Sequence, residues 1–137
     1  MHPFDALRLR LARFVAARDW EQFHTPRNLA ACLSVEAGEL LELYRWARDG
    51  EGPHPPGAGP PERARVEEEA ADVLLSLLNF AAVLDLDLPA IAARKLDALE
   101  ARYPVDLARG NALGADALAG ISREGRRPAA VHDDLEV

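Results

Sequence analysis

The sequence predicts an all-α protein, a bundle of four helices, and three observations carry that reading. Apolar residues recur at helical spacing in four separate stretches, while no stretch alternates with period two between turn signals. Two punctuation marks, Thr25-Pro26 and Asp87-Leu88-Pro89, place an N-capping side chain directly before a proline in the first helical turn. The stretch Asp49 to Pro61 is so rich in Gly and Pro that it can continue neither helix nor strand.

The first helix is expected from Phe4 or Asp5 to Arg18, with Leu7, Leu11, Phe14 and Val15 as its apolar face. The second starts at the Thr25 cap and continues to about Arg48, with Leu29, Leu33, Ala37, Leu40, Leu41 and Tyr44 on one stripe and Glu36 and Glu39 along its flank. Its expected length, a little over twenty residues, corresponds to roughly 30 Å. The third helix is expected from Glu62 to Leu84, acidic at first through Glu67, Glu68, Glu69 and Asp72, then apolar from Val73 to Val83. The fourth runs from Leu88 to Arg102, with Leu88, Ile91, Ala92, Leu96, Leu99 and Tyr103 at helical spacing. Residues 1–110 read as one domain. Residues 111–137 read as a weakly ordered tail of Ala, Gly and charge, with room for a short packed segment around Leu113 to Ile121.

Composition narrows the functional classes. A chain of 137 residues suffices for one domain with a core. No apolar run is long enough to span a bilayer, and Met1-His2-Pro3-Phe4-Asp5 lacks the basic region and apolar core of a signal peptide, so the expectation is a soluble cytoplasmic protein with no membrane partner. The formal charge of -7 argues against a general nucleic-acid-binding surface. The single Cys32 excludes an internal disulfide and reads as a small buried residue of the second helix. His54, flanked by prolines, reads as a loop residue.

Chemistry concentrates in two acidic pairs, Glu36-x-x-Glu39 and Glu69-x-x-Asp72, each at i,i+3 on helices that the connecting loop would set antiparallel. Two readings stand side by side. Both pairs can be ordinary helix-surface acids, Glu67 and Glu68 simply meeting the helix dipole. Alternatively the four carboxylates converge, and an oxygen-only cluster then selects a hard cation, Mg²⁺ or Mn²⁺, with a phosphate chain as co-ligand. Lys95, inside the apolar stripe of the fourth helix, is likewise open to two readings: a side chain snorkelling past the core edge, or a lysine aimed at an anion. Phe23 either packs in the core or leaves its ring exposed as flat apolar surface.

Taken in order, Asp19-Trp20-Glu21-Gln22-Phe23-His24-x-Pro26-x-Asn28-Leu29, Glu36-Ala37-Gly38-Glu39-Leu40 with Trp46 behind it, Glu69-Ala70-Ala71-Asp72-Val73-Leu74, Lys95-Leu96-Asp97 and Arg102-Tyr103-Pro104 resemble the all-α nucleoside triphosphate pyrophosphohydrolases of the MazG type, and within them the dCTP pyrophosphatase branch. The resemblance covers Leu7 to Gly110. It implies a MazG-like four-helix bundle that works as a homodimer or homotetramer. The implied activity is Mg²⁺-dependent, or Mn²⁺-dependent, hydrolysis of a nucleoside triphosphate, dCTP or a modified pyrimidine deoxynucleotide, to monophosphate and pyrophosphate. Carried over by position, Glu36, Glu39, Glu69 and Asp72 hold metal, Glu39 also orienting the attacking water. Lys95 and Arg102 lie near the phosphates. Trp20, Phe23, His24, Asn28, Ser76 and Tyr103 frame the nucleoside. Ser76 stands where relatives often carry Tyr, and Leu99 where they often carry Asn, which bears on the base accepted. Two other classes compete. A di-metal redox bundle would require Glu-x-x-His on two helices, and only Glu21-x-x-His24 has that form. A catalytically silent nucleotide-sensing or partner-binding bundle is the alternative that the Ser76 and Leu99 departures leave standing.

Overall fold

A computed structural model describes residues 3–45 and 60–124. Among these residues every regular element is helical: α1 (Pro3–Ala16), a 3-10 turn (Glu21–Phe23), α2 (Pro26–Glu42), α3 (Pro60–Val83), α4 (Leu88–Arg102), α5 (Val105–Ala108) and α6 (Ala115–Glu124). The all-α expectation is met. Trp46, Arg48, His54 and the Gly/Pro connection lie outside the described residues, as does everything after Glu124.

Helix boundaries follow local chemistry. α1 stops two residues short of Arg18 because Asp19 turns left-handed, with φ of 55°. The amide of Trp20 then donates to Val15 O at 3.2 Å and that of Asp19 to Ala16 O at 3.1 Å, the paired closure of a Schellman motif. α3 ends in the same way at Asp85, whose φ is 51°, with Leu86 N donating to Ala81 O at 2.9 Å and Asp85 N to Ala82 O at 3.3 Å. At its other end α3 begins at Pro60, before the expected Glu62, since residues in a first turn need no amide donor.

The expected N-caps form. Thr25 Oγ1 accepts from Asn28 N at 3.2 Å, with Pro26 first in α2. Asp87 Oδ1 accepts from Ala90 N at 3.0 Å and opens α4. α2 is shorter than the sequence suggests, 17 residues, because beyond Glu42 the chain tightens to i→i−3 bonds, Tyr44 N to Leu41 O at 2.9 Å and Arg45 N to Glu42 O at 3.3 Å.

The chain forms two compact units, Met1–Leu86 and Asp87–Val137. In the first, α2 packs along α3 and α1 packs on α3, with Val15, Leu29, Leu78 and Ala81 buried. Of the apolar stripe on α2 only Leu29 is buried. Leu33 and Leu40 are half-buried, and Ala37, Leu41 and Tyr44 are exposed, because α3 covers a narrower strip than the apolar face of α2 presents. In the second unit α5 packs on α6 and Leu118 is buried. α6 occupies the stretch expected to hold a short packed segment. Gly110, at φ of 77°, turns the chain out of α5, and Asn111 fixes the bend by donating to Leu107 O at 2.8 Å and accepting from Leu113 N at 3.0 Å. No single helix among the described residues is long and apolar enough to cross a membrane.

Candidate metal and nucleotide site

The packing of α2 on α3 brings Glu36, Glu69 and Asp72 together. Each offers a carboxylate oxygen within 4.8 Å of the others, and all three are half-buried. Glu69 and Asp72 share a face because they are one helical turn apart, and Glu36 reaches them from the neighbouring helix. Partial burial pushes the Glu36 carboxyl above its ordinary range, and the negative charges of Asp72, Glu39 and Glu69 push it further in the same direction. The ion pairs among the described residues, Arg45 with Glu42 and Arg63 with Glu67, are exposed and leave this cluster without a protein cation. Three oxygen donors this close repel one another unless protonated or bridged by a cation, and their hardness suits Mg²⁺ or Mn²⁺. Glu39 is exposed and stands outside the triad, yet close enough to act on the charge of Glu36.

The aromatic residues are positioned by the end of α1. The amide that closes the Schellman motif belongs to Trp20, whose ring meets Phe14 edge-on at 5.7 Å between centroids. Arg18 lies over the Phe14 ring at 3.6 Å and donates to Phe14 O at 3.0 Å. The 3-10 turn then presents Phe23, and Asn28 Nδ2 holds that turn by donating to Phe23 O at 3.0 Å. The result is a cavity of about 590 Å³ lined by Trp20, Phe23, His24, Asn28, Leu29, Ala31 and Cys32. Four of the six residues expected around a nucleoside thus come together. Phe23 is 59% exposed, so it offers its ring outward and does not pack in the core.

Cys32 corrects an expectation. It is exposed and lines this cavity, because it lies on the face of α2 that also carries Asn28 and Glu36, four residues to either side. That i,i+4 relation was the available signal, outweighed by its apolar neighbours in sequence. Ser76 is half-buried on α3, one turn beyond Asp72, and lines no part of the aromatic cavity. Lys95, Arg102 and Tyr103 belong to the second unit. Lys95 is exposed, and the Arg102 guanidinium lies 5.9 Å from the centroid of the Tyr103 ring.

Comparison with known proteins bears on this arrangement. The chain is similar to a crystal structure of a pyrophosphatase from Archaeoglobus fulgidus, with a TM-score of 0.64 and 33% identity, covering 76% of this chain and 94% of that one. It is 52% identical over 98 residues to dCTP pyrophosphatase 1 of Homo sapiens, covering 72% of this chain. The chain belongs to the MazG-like all-α nucleoside triphosphate pyrophosphohydrolases. It is also 50% identical over 101 residues to dCTP pyrophosphatase 1 of Rattus norvegicus, covering 74% of this chain. The chain spans 57% of the human protein's length and 59% of the rat protein's. No family model matches the chain. In this MazG-like chain the acidic triad and the aromatic cavity both lie within the Met1–Leu86 unit, and α2 contributes to each.

Proposed function

We propose that the protein hydrolyses a nucleoside triphosphate, dCTP or a modified pyrimidine deoxynucleotide, to the monophosphate and pyrophosphate, with Mg²⁺ as the metal and Mn²⁺ as a substitute. The observation that carries this reading is the convergence of Glu36, Glu69 and Asp72, half-buried and without a protein cation among the described residues. The likeness to dCTP pyrophosphatase 1 supports the choice of substrate.

Glu36, Glu69 and Asp72 would hold the metal, which when bound neutralises phosphate charge and makes a water easier to deprotonate. Phosphoryl transfer asks little covalent chemistry of the protein; it asks for charge neutralisation and an aligned water. Glu39, exposed one turn along α2, completes the acidic set and orients that water. Lys95 and Arg102 bind the phosphates. Trp20 and Phe23 offer flat surface to the base, with His24 and Asn28 completing that wall, and the family resemblance assigns Ser76 and Tyr103 to the nucleoside as well. The exposed apolar residues of α2, Leu41 foremost at 70%, fit a homodimer or homotetramer. The same reading makes the protein a cytoplasmic nucleotide-pool enzyme without nucleic-acid or membrane partners.

The test is pyrophosphate release from a panel of ribo- and deoxynucleoside triphosphates, including 5-substituted dCTP and dUTP, with Mg²⁺, Mn²⁺ or chelator. Metal-dependent release that Glu36→Ala/Glu39→Ala abolishes is the expected result. A folded protein that cleaves no triphosphate at any metal concentration would overturn the assignment.

A further inference from the structure

The aromatic cavity explains how a base could be stacked but not how one base is chosen, since every base has a flat face. A base lying on Trp20 or Phe23 turns its edge toward the remaining walls of the same cavity. There the side chains able to direct a hydrogen bond are Asn28 and His24, with the Cys32 thiol a weak third. A neutral imidazole can exchange its donor and acceptor nitrogens between tautomers, so His24 meets either kind of edge. Asn28 differs, because its amide is already oriented.

Asn28 sits in the first turn of α2, its backbone N–H donating to Thr25 Oγ1 at 3.2 Å. Its side-chain Nδ2 donates to Phe23 O at 3.0 Å, and that carbonyl also accepts from Thr25 N at 3.0 Å. A flipped carboxamide would set Oδ1 against Phe23 O, acceptor against acceptor, and forfeit a bond that holds the 3-10 turn. The donor end is therefore engaged and the acceptor end is not: among the described residues nothing donates to Oδ1. Asn28 is exposed and lines the cavity, so this oxygen is open to whatever fills it.

Resting on the nucleotide reading above, we infer that Asn28 Oδ1 is the acceptor by which this cavity selects a pyrimidine bearing a 4-amino group. The amino group of cytosine donates to it. The 4-oxo group of uracil or thymine sets a second acceptor against it, and the amide cannot turn over to answer without releasing the 3-10 turn. A substituent at the 5-position leaves the amino group in place, so modified cytosines pass this filter and 5-substituted uracils do not.

The test pairs a change in the protein with a change in the ligand. Three non-hydrolysable α,β-methylene triphosphates are titrated by calorimetry in Mg²⁺: those of deoxycytidine, of deoxyuridine, and of the 2-pyrimidinone deoxynucleoside, which has hydrogen at the 4-position. They are compared on wild type, Asn28→Ala, Gln22→Ala and Trp20→Ala, with circular dichroism checking the fold of each variant. Gln22→Ala removes the bonds to Asp19 O and Oδ2, at 2.9 Å and 2.8 Å, and so loosens the same turn without touching the acceptor. Wild type should bind the analogues in the order amino, hydrogen, oxo, with amino over oxo by about five- to a hundredfold. Asn28→Ala should erase that ratio, whereas Gln22→Ala should weaken all three alike and keep it. An unchanged ratio in folded Asn28→Ala, an equal loss of the ratio in Gln22→Ala, or a wild type that binds the oxo analogue as well as the hydrogen one overturns the inference. In that event, weaker binding of all three by Trp20→Ala keeps the nucleotide reading standing. An Asn28-dependent ratio in a protein that releases no pyrophosphate from dCTP upholds the inference and removes the hydrolase reading. A wild type that binds none of the analogues overturns both.

Discussion

At the scale of single residues, Glu36 sets the behaviour of the acidic cluster. Its carboxyl binds a proton more tightly in the folded chain than in the unfolded one, through partial burial and the charges of Asp72, Glu39 and Glu69. In the window between the ordinary carboxylate value and the raised one, the native state therefore carries more protons than the unfolded state. Stability of the metal-free protein should fall as pH rises through that window. Thermal melts in chelator across the acid-to-neutral range should show the decline, and Glu36→Gln should flatten it. At neutral pH, Mg²⁺ at about a hundredfold its Kd should restore about 2.7 kcal/mol in wild type, and in Glu36→Gln it should restore less. Glu39→Gln tests a different role: turnover should drop by about a hundred- to ten-thousandfold with metal-dependent thermal stabilisation retained, and unchanged turnover would remove Glu39 from orienting the water. The sequence made these acids legible through two i,i+3 pairs. It did not show that Glu36, Glu69 and Asp72 form a tight triad with Glu39 outside it, because helical spacing fixes a face and leaves the reach of each side chain to packing.

At the scale of elements, the caps carry the argument. Thr25 and Asp87 were readable because an N-cap needs one side-chain oxygen at one position, and both form. Thr25→Ala should cost about 1 kcal/mol in denaturant melts. The two Schellman ends were not readable, since the left-handed position usually falls to Gly and here falls to aspartate. Asp85→Val should destabilise by about 1–2 kcal/mol, because a β-branched residue suits that conformation poorly, whereas Asp85→Gly should hold or raise the melting midpoint. The early end of α2 was hidden for a similar reason. Apolar spacing runs on past Glu42, yet the hydrogen bonds there have already shortened to the i→i−3 pattern.

At the scale of the whole molecule, apolar residues outnumber the surfaces that cover them. Leu41 at 70%, Val35 at 57% and Leu96 at 56% exposure are large apolar side chains left largely uncovered among the described residues. The sequence pattern therefore announced apolar faces correctly and overstated how many of them one chain conceals. If a second copy covers α2, Leu41→Lys should lower the assembly mass in light scattering and leave the helical content unchanged, whereas an unchanged mass would place the contact elsewhere. The end of α1 has a consequence of another kind. The amide that stops this helix and the indole that walls the aromatic cavity belong to one residue, Trp20, and the left-handed Asp19 beside it sets the direction of both. If the aromatic cavity holds the base as proposed, a lineage drifting at position 19 would retune substrate preference without altering any residue that touches substrate, and selection for a firmer helix end would carry a change of diet with it.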